Sequence, residues 1–384
     1  MHLLFSKRLL SLFFLVTFGV ALVSCDSVGS DDGNGGTLDP DQAKSEVASV
    51  DSDLSSNLTE LTDGSFATTL QDLFGGSSTA STEKTTEAPL GVVLLDQLAE
   101  QDITPSTTGV YNWSTSEQKW IAQQSSESLV LNFPASPSAS SNNAAFRLSE
   151  YTETPVTLEG EQEMLPATVD ASMAIDGTEV FSVNLSNTSF YTEQVEGSQV
   201  PQNFRLEVLT APQLHTFQLD SPSKSEFEFE FDLEKDRGDG EKVLGFLVGA
   251  TLSSDFDEVT DASGLDELAG SVELGPSVTL DYTIDVDGID ERGEDPSVEE
   301  VNDRFTATLN VSEQKAGDIE FARISQEGET IRAPVIVYPN GDQEQLQKAF
   351  SGTFQTIVGV PVEDVSSTAK SAANSVKDAV VQLF

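Results

Sequence analysis

Chemistry in a protein usually starts from thiols, imidazoles and clustered acids, and here those residues are unevenly supplied. The 384 residues hold one cysteine, two histidines and 65 acids. Cys25 has no second thiol to form a disulfide within the chain. With His2 inside a hydrophobic N-terminal stretch, a zinc site or a Ser-His-Asp triad would have to rest on His215 alone. His215 lies in a strand-like segment, and a structural histidine is the expectation there. Ser-x-x-Lys spacings include Ser221/Lys224, Ser312/Lys315 and Ser367/Lys370. On a helix that spacing brings the amine under the hydroxyl, but only the third copy falls in a predicted helix and the companion motifs of serine acyl enzymes are missing. Nucleophile-elbow, P-loop and dinucleotide fingerprints are absent from the sequence. The chain reads as non-catalytic, without a cofactor.

Two further groups are candidates for binding. "DVDGIDERGED" (285 to 295) supplies the oxygen ligands a hard cation favours, in Asp285, Asp287 and Asp290. Its glycine and final residue are out of place for an EF-hand, so an acidic turn is the simpler reading and no metal is assigned. Arg237-Gly238-Asp239 matches an integrin tripeptide inside a turn-forming composition. Tyr111, Trp113 and Trp120 are the other group, and they include both tryptophans of the chain. Exposed, they would stack on a sugar or line a lipid groove; buried, they form a cross-strand core pair.

The surroundings of Cys25 give it a role. Lys7 and Arg8 precede Leu9 to Val23, a stretch free of charge that would reach about 22 Å as a helix, short of a membrane core. That is the layout of a signal peptide. Leu22-Val23-Ser24-Cys25 resembles a bacterial lipobox, which implies cleavage before Cys25, lipidation of its thiol and anchoring of the mature chain in a membrane. Loss of residues 1–24 takes the net charge from −46 to −48. Such a charge disfavours nucleic acid as a partner, and its even spread over the chain fits adaptation to concentrated salt.

Behind the anchor, residues 25–38 read as a flexible tether and 39–75 as a helical segment. Asp39 is a suitable N-cap and Pro40 a suitable first residue, and Ala43, Val47, Val50, Leu54, Leu58 and Leu61 form one helical stripe. A polar linker, 76–89, leads to a further helix in "LGVVLLDQLAEQD". From Thr108 the period becomes two. "GVYNWSTSEQKWIAQQ" predicts a hairpin with Trp113 opposite Trp120. In "SEFEFEFDLE" Phe227, Phe229, Phe231 and Leu233 share one face and the acids share the other. About a dozen strands joined by short turns predict antiparallel pairing from 108 to 340, within a β-rich domain of residues 90–340 that has a possible subdivision near 196–203. Residues 341–384 read as helical, with a stripe of Val365, Ala369, Ala372, Val376, Val380 and Leu383. The fold class is α+β and β-dominated: a large antiparallel sheet or sandwich with N-terminal helices and a C-terminal amphipathic helix.

The run "GVYNWS…W…LVLNFPAS", "NAAFRLSEY" and "LPATVDASMAIDGTEVFSVNLS", together with the lipobox, resembles a group of envelope lipoproteins from Bacteroidota and related bacteria. The resemblance covers about residues 105 to 190 and implies an envelope location and a β-rich fold; no activity travels with it. The expectation is an outer-membrane lipoprotein that binds or scaffolds a protein, glycan or lipid. The alternative is a carrier of an apolar ligand on a curved sheet crossed by helices, as in carriers of the LolA type.

Overall fold

Period-two alternation governs most of the chain, and in the computed structural model it builds one sheet of sixteen strands. The structure describes residues 38–62, 90–158, 160–195, 197–235, 242–258, 264–286, 297–326 and 329–352. The strands are β1 (Gly109–Ser114), β2 (Lys119–Gln124), β3 (Leu129–Phe133), β4 (Ala144–Leu158), β5 (Glu161–Ile175), β6 (Thr178–Val195), β7 (Ser198–Thr210) and β8 (Gln213–Ser223). They continue with β9 (Glu226–Glu234), β10 (Lys242–Leu252), β11 (Leu265–Leu274), β12 (Val278–Asp285), β13 (Phe305–Val311), β14 (Gln314–Gln326), β15 (Glu329–Val337) and β16 (Gln343–Gln345). From β4 onward every strand pairs with the one before it in sequence, a meander whose longest connection, between β12 and β13, carries a short helix. The stretch 197–203 falls at the β6–β7 hairpin, where the two strands stay paired through three register shifts.

One pairing departs from the antiparallel expectation. β2 folds back on the outer side of β1, so the chain must return past β1, and β3 then joins β1's free edge in parallel. The turns follow their chemistry. Asp176-Gly177 takes positive φ at both residues, 51° and 81°, and closes the two-residue β5–β6 hairpin. Ser312-Glu313 does the same between β13 and β14, at 50° and 63°, without a glycine.

Two helices cover parts of one sheet face. α1 (Pro40–Thr62) starts at Asp39, whose Oδ1 accepts from the backbone N–H of Asp41 at 3.0 Å, as the N-cap reading expects. Its stripe residues Ala43, Val47 and Val50 are buried against β12 to β15, with Leu309 and Ile336 among their neighbours. Leu54, further along the same stripe, packs on Phe231, Leu233, Val243 and Leu244 of β9 and β10. The side chains of Leu58 and Leu61 lie outside the described residues. α2 (Leu90–Glu100) sits at the other end of the sheet, where Leu94 joins a cluster spread from β1 to β6. Two short helices, α3 (Val298–Asn302) and α4 (Leu346–Ala349), complete the described elements. α4 follows directly on β16, and the C-terminal stripe from Val365 to Leu383 lies outside the described residues.

The opposite face is polar. Lys242 bridges Asp232 and Glu273 at 2.9 Å each, spanning three strands across Gly245. Burial alone would lower the Lys242 ammonium's affinity for its proton, but the two carboxylates more than reverse this and hold it charged. Glu230 beside them is raised, first by burial and then by the charge of Asp232.

Candidate functional site

The sequence candidates are placed as follows. Trp113 and Trp120 pair across β1 and β2, as the hairpin predicts, with ring centroids 5.5 Å apart in an edge-to-face contact. Each is 5% exposed, under α2. Trp120 Nε1 donates to the Leu94 carbonyl at 3.2 Å, while the Gln101 side chain accepts from the Trp120 backbone N–H and donates to its carbonyl. Tyr111 packs half-buried in the same cluster. The aromatic faces are therefore occupied by protein, and this trio anchors α2 to the sheet. Asp285 ends β12 with Arg304 Nη1 at 3.8 Å; Asp287 and Asp290 lie outside the described residues, as do Cys25 and the Arg-Gly-Asp tripeptide. Among the described residues, no group of three or more His, Cys, Asp or Glu could hold a metal ion. No helix among them is long and apolar enough to cross a membrane.

The register of the sheet assembles a different site. Residues directly opposite in an antiparallel ladder share a face. Leu233 of β9 faces His215 of β8, then Val208 of β7, Val183 of β6 and Ala171 of β5. The neighbouring row runs Phe231, Phe217, Leu206, Leu185 and Val169. Leu233 and Phe231 belong to the cluster under α1, and Ala171 belongs to the cluster under α2. The two helices thus lie on one face of the sheet, at opposite ends of the same rows.

Between them is a strip that neither cluster claims. Val183, Leu185, Leu206, Val208 and Leu219 are half-buried and join none of the buried clusters among the described residues. From β9 to β5 is four ladder spacings, about 19 Å. At one end of the strip, next to the β7–β8 turn, the surface becomes polar without becoming charged. His215 Nε2 lies 3.0 Å from Thr210 Oγ1, and Thr210 pairs with the buried Gln213. Burial holds the His215 imidazole below its ordinary pKa, so it is neutral at neutral pH.

Sequence reasoning marked the Phe227 to Leu233 face as half-buried but took no account of Leu185, Leu206 and Val208 as its continuation. The alternation in "EVFSVNLSN" and "NFRLEVLTA" carries that signal. What joins the segments into one surface is the register, which three separate hairpins set.

Comparison with family models, with curated proteins and with solved structures finds no match to this chain.

Proposed function

We propose that the protein is a lipid-anchored module of the cell envelope, tethered to the outer membrane through Cys25, which acts without catalysis by binding an apolar ligand on the helix-bearing face of its sheet. The observation that carries this reading is the half-buried apolar strip on β6 to β8, flanked on the same face by α1 and α2. The lipobox layout and the tether behind it support the anchor.

The test is extraction of the exported full chain with organic solvent, followed by mass spectrometry of what is released, beside a Leu206→Glu variant. A stoichiometric apolar compound that co-purifies with the parent and not with the variant supports the reading. An empty extract from folded protein, with no uptake of an added naphthylamine probe, refutes it.

A further inference from the structure

We infer that the free edge of β2 is a pairing surface for a second copy of this chain, and that the side chain of Gln101 holds it closed.

An open sheet has two edges, and an edge strand offers a row of backbone N–H and C=O groups to any strand that reaches it. The two edges differ here. β16 is three residues long and runs straight into α4, so it offers little to pair with. β2 is six residues long, without proline or an acidic residue, and Lys119 at its start is its one charge. Ala122, Gln123 and Gln124 are exposed. From Trp120 to Ser126 the sequence carries no charge, so a second β2 laid antiparallel on this stretch meets no like-charge repulsion there.

Which backbone groups face outward follows from the bonds they make. The Trp120 N–H donates to Gln101 Oε1 at 3.1 Å, and Gln101 Nε2 donates to the Trp120 carbonyl at 3.3 Å. Both groups of Trp120 therefore point away from β1, and by alternation those of Ala122, two residues on, do the same. The Gln101 amide stands where a residue of the next strand would stand, with the same donor and the same acceptor.

The end of α2 aims that amide. Ile103 N–H donates to the Leu98 carbonyl at 2.9 Å, and Asp102 N–H to the Ala99 carbonyl at 3.3 Å, with Asp102 at φ 53°. This is a Schellman ending, and Leu98 and Ile103 both pack on the cluster under α2. Gln101 is the last residue before the reversal, so its position is fixed by the helix end. With Trp120 engaged, a second copy meets Ala122 as the nearest residue with outward groups, too little for an antiparallel ladder. A dimer through β2 would displace the amide in both copies, four hydrogen bonds in all.

The exported full chain, held in detergent, is compared with Gln101→Ala by sedimentation over a range of concentrations. The parent is expected to stay monomeric. Gln101→Ala should form a dimer with a dissociation constant at least about tenfold below the parent's. Adding Ala122→Pro to Gln101→Ala removes an outward N–H that β1 does not use, and should return the chain to the monomer. Gln101→Met keeps the length of the side chain without its amide; it should dimerise in the same way and serves if Gln101→Ala does not fold. A folded variant that stays monomeric without the amide, or a dimer that survives Ala122→Pro, overturns the proposal. So does a parent that already pairs through β2, because Gln101 would then not be closing the edge.

Discussion

Gly270→Ala should be among the most damaging single-methyl additions this sheet can receive. Gly270 lies in the middle of β11, facing Val248 on β10 and Tyr282 on β12. A Cβ at this position would come 1.9 Å from the Leu247 carbonyl oxygen and 2.8 Å from its carbon, both backbone atoms. The oxygen is about 1.5 Å inside ordinary van der Waals contact, a distance no side-chain rotation can relieve. The missing side chain also admits the Tyr282 ring, whose hydroxyl donates across β11 to the Leu247 carbonyl at 3.2 Å. Burial raises that phenol to about 12, in keeping with a neutral donor. Forcing β10 and β11 apart costs about 1–3 kcal/mol as overpacking, and losing the hydroxyl's bond adds about 1 kcal/mol. The expected loss is therefore about 2–4 kcal/mol, a large share of the stability of a typical domain. Gly249→Ala is the control: it stands opposite Ala269 in the same ladder, and its Cβ would meet the Ala269 carbonyl oxygen at an ordinary 3.4 Å. Urea unfolding of the two variants, each with and without Tyr282→Phe, measures the difference. If Gly270→Ala is no worse than Gly249→Ala, or if Tyr282→Phe costs the same in both, the close approach of the strands is not what fixes this glycine.

Three other outcomes are expected. Trp120→Phe removes the indole bond to the Leu94 carbonyl and should cost about 0.5–1.5 kcal/mol, with faster amide exchange in α2 as the local readout. His215 has a lowered native pKa, so its neutral form contributes stability that is complete above the unfolded value of about 6.5 and is lost as pH falls through the native value. The difference in unfolding free energy between parent and His215→Leu should therefore change on acidification below that value, by no more than about 1.4 kcal/mol per pH unit; a flat difference would mean that His215 does not titrate differently on folding. Glu313→Gly places the residue best suited to φ 63° in the β13–β14 turn and should stabilise the chain by about 1 kcal/mol in the same urea assay.

Much of the sheet was legible because its signals are local. The two faces of β9, the Trp113–Trp120 pair, the Asp176-Gly177 turn and the Asp39 cap each depend on residues a few positions apart, and the structure has all four. The parallel β1–β3 pair was not legible, because a short connection normally implies a hairpin and only the position of β2 forces the chain round β1. The aromatic trio read either as a binding cluster or as a buried cross-strand pair, because tryptophan suits both surfaces and cores; the choice was made by α2, whose Leu94 carbonyl and Gln101 side chain satisfy the polar atoms of Trp120. The strip on β6 to β8 was hidden for a different reason. Its residues alternate as any half-buried strand does, and only the register of three hairpins places them in one row.

The position of α1 also sets an order of assembly. From β4 to β16 each strand can close on the one before it as the chain emerges, so most of the sheet can grow by zipping between sequence neighbours. α1 emerges ahead of all sixteen strands, yet it docks mainly on β9 to β15 and is fastened by contacts spanning about three hundred residues: Lys44 to Asp342 at 3.2 Å, and Asp51 to the backbone N–H of Gly352 at 2.8 Å. Until those last strands arrive, Ala43, Val47, Val50 and Leu54 have no surface to cover, and the strands they will cover have no lid. The first helix synthesised is thus the last to be seated. A chain cut short anywhere before β15 would leave an apolar helix and an apolar sheet face both exposed, which makes incomplete molecules ready targets for quality-control proteases.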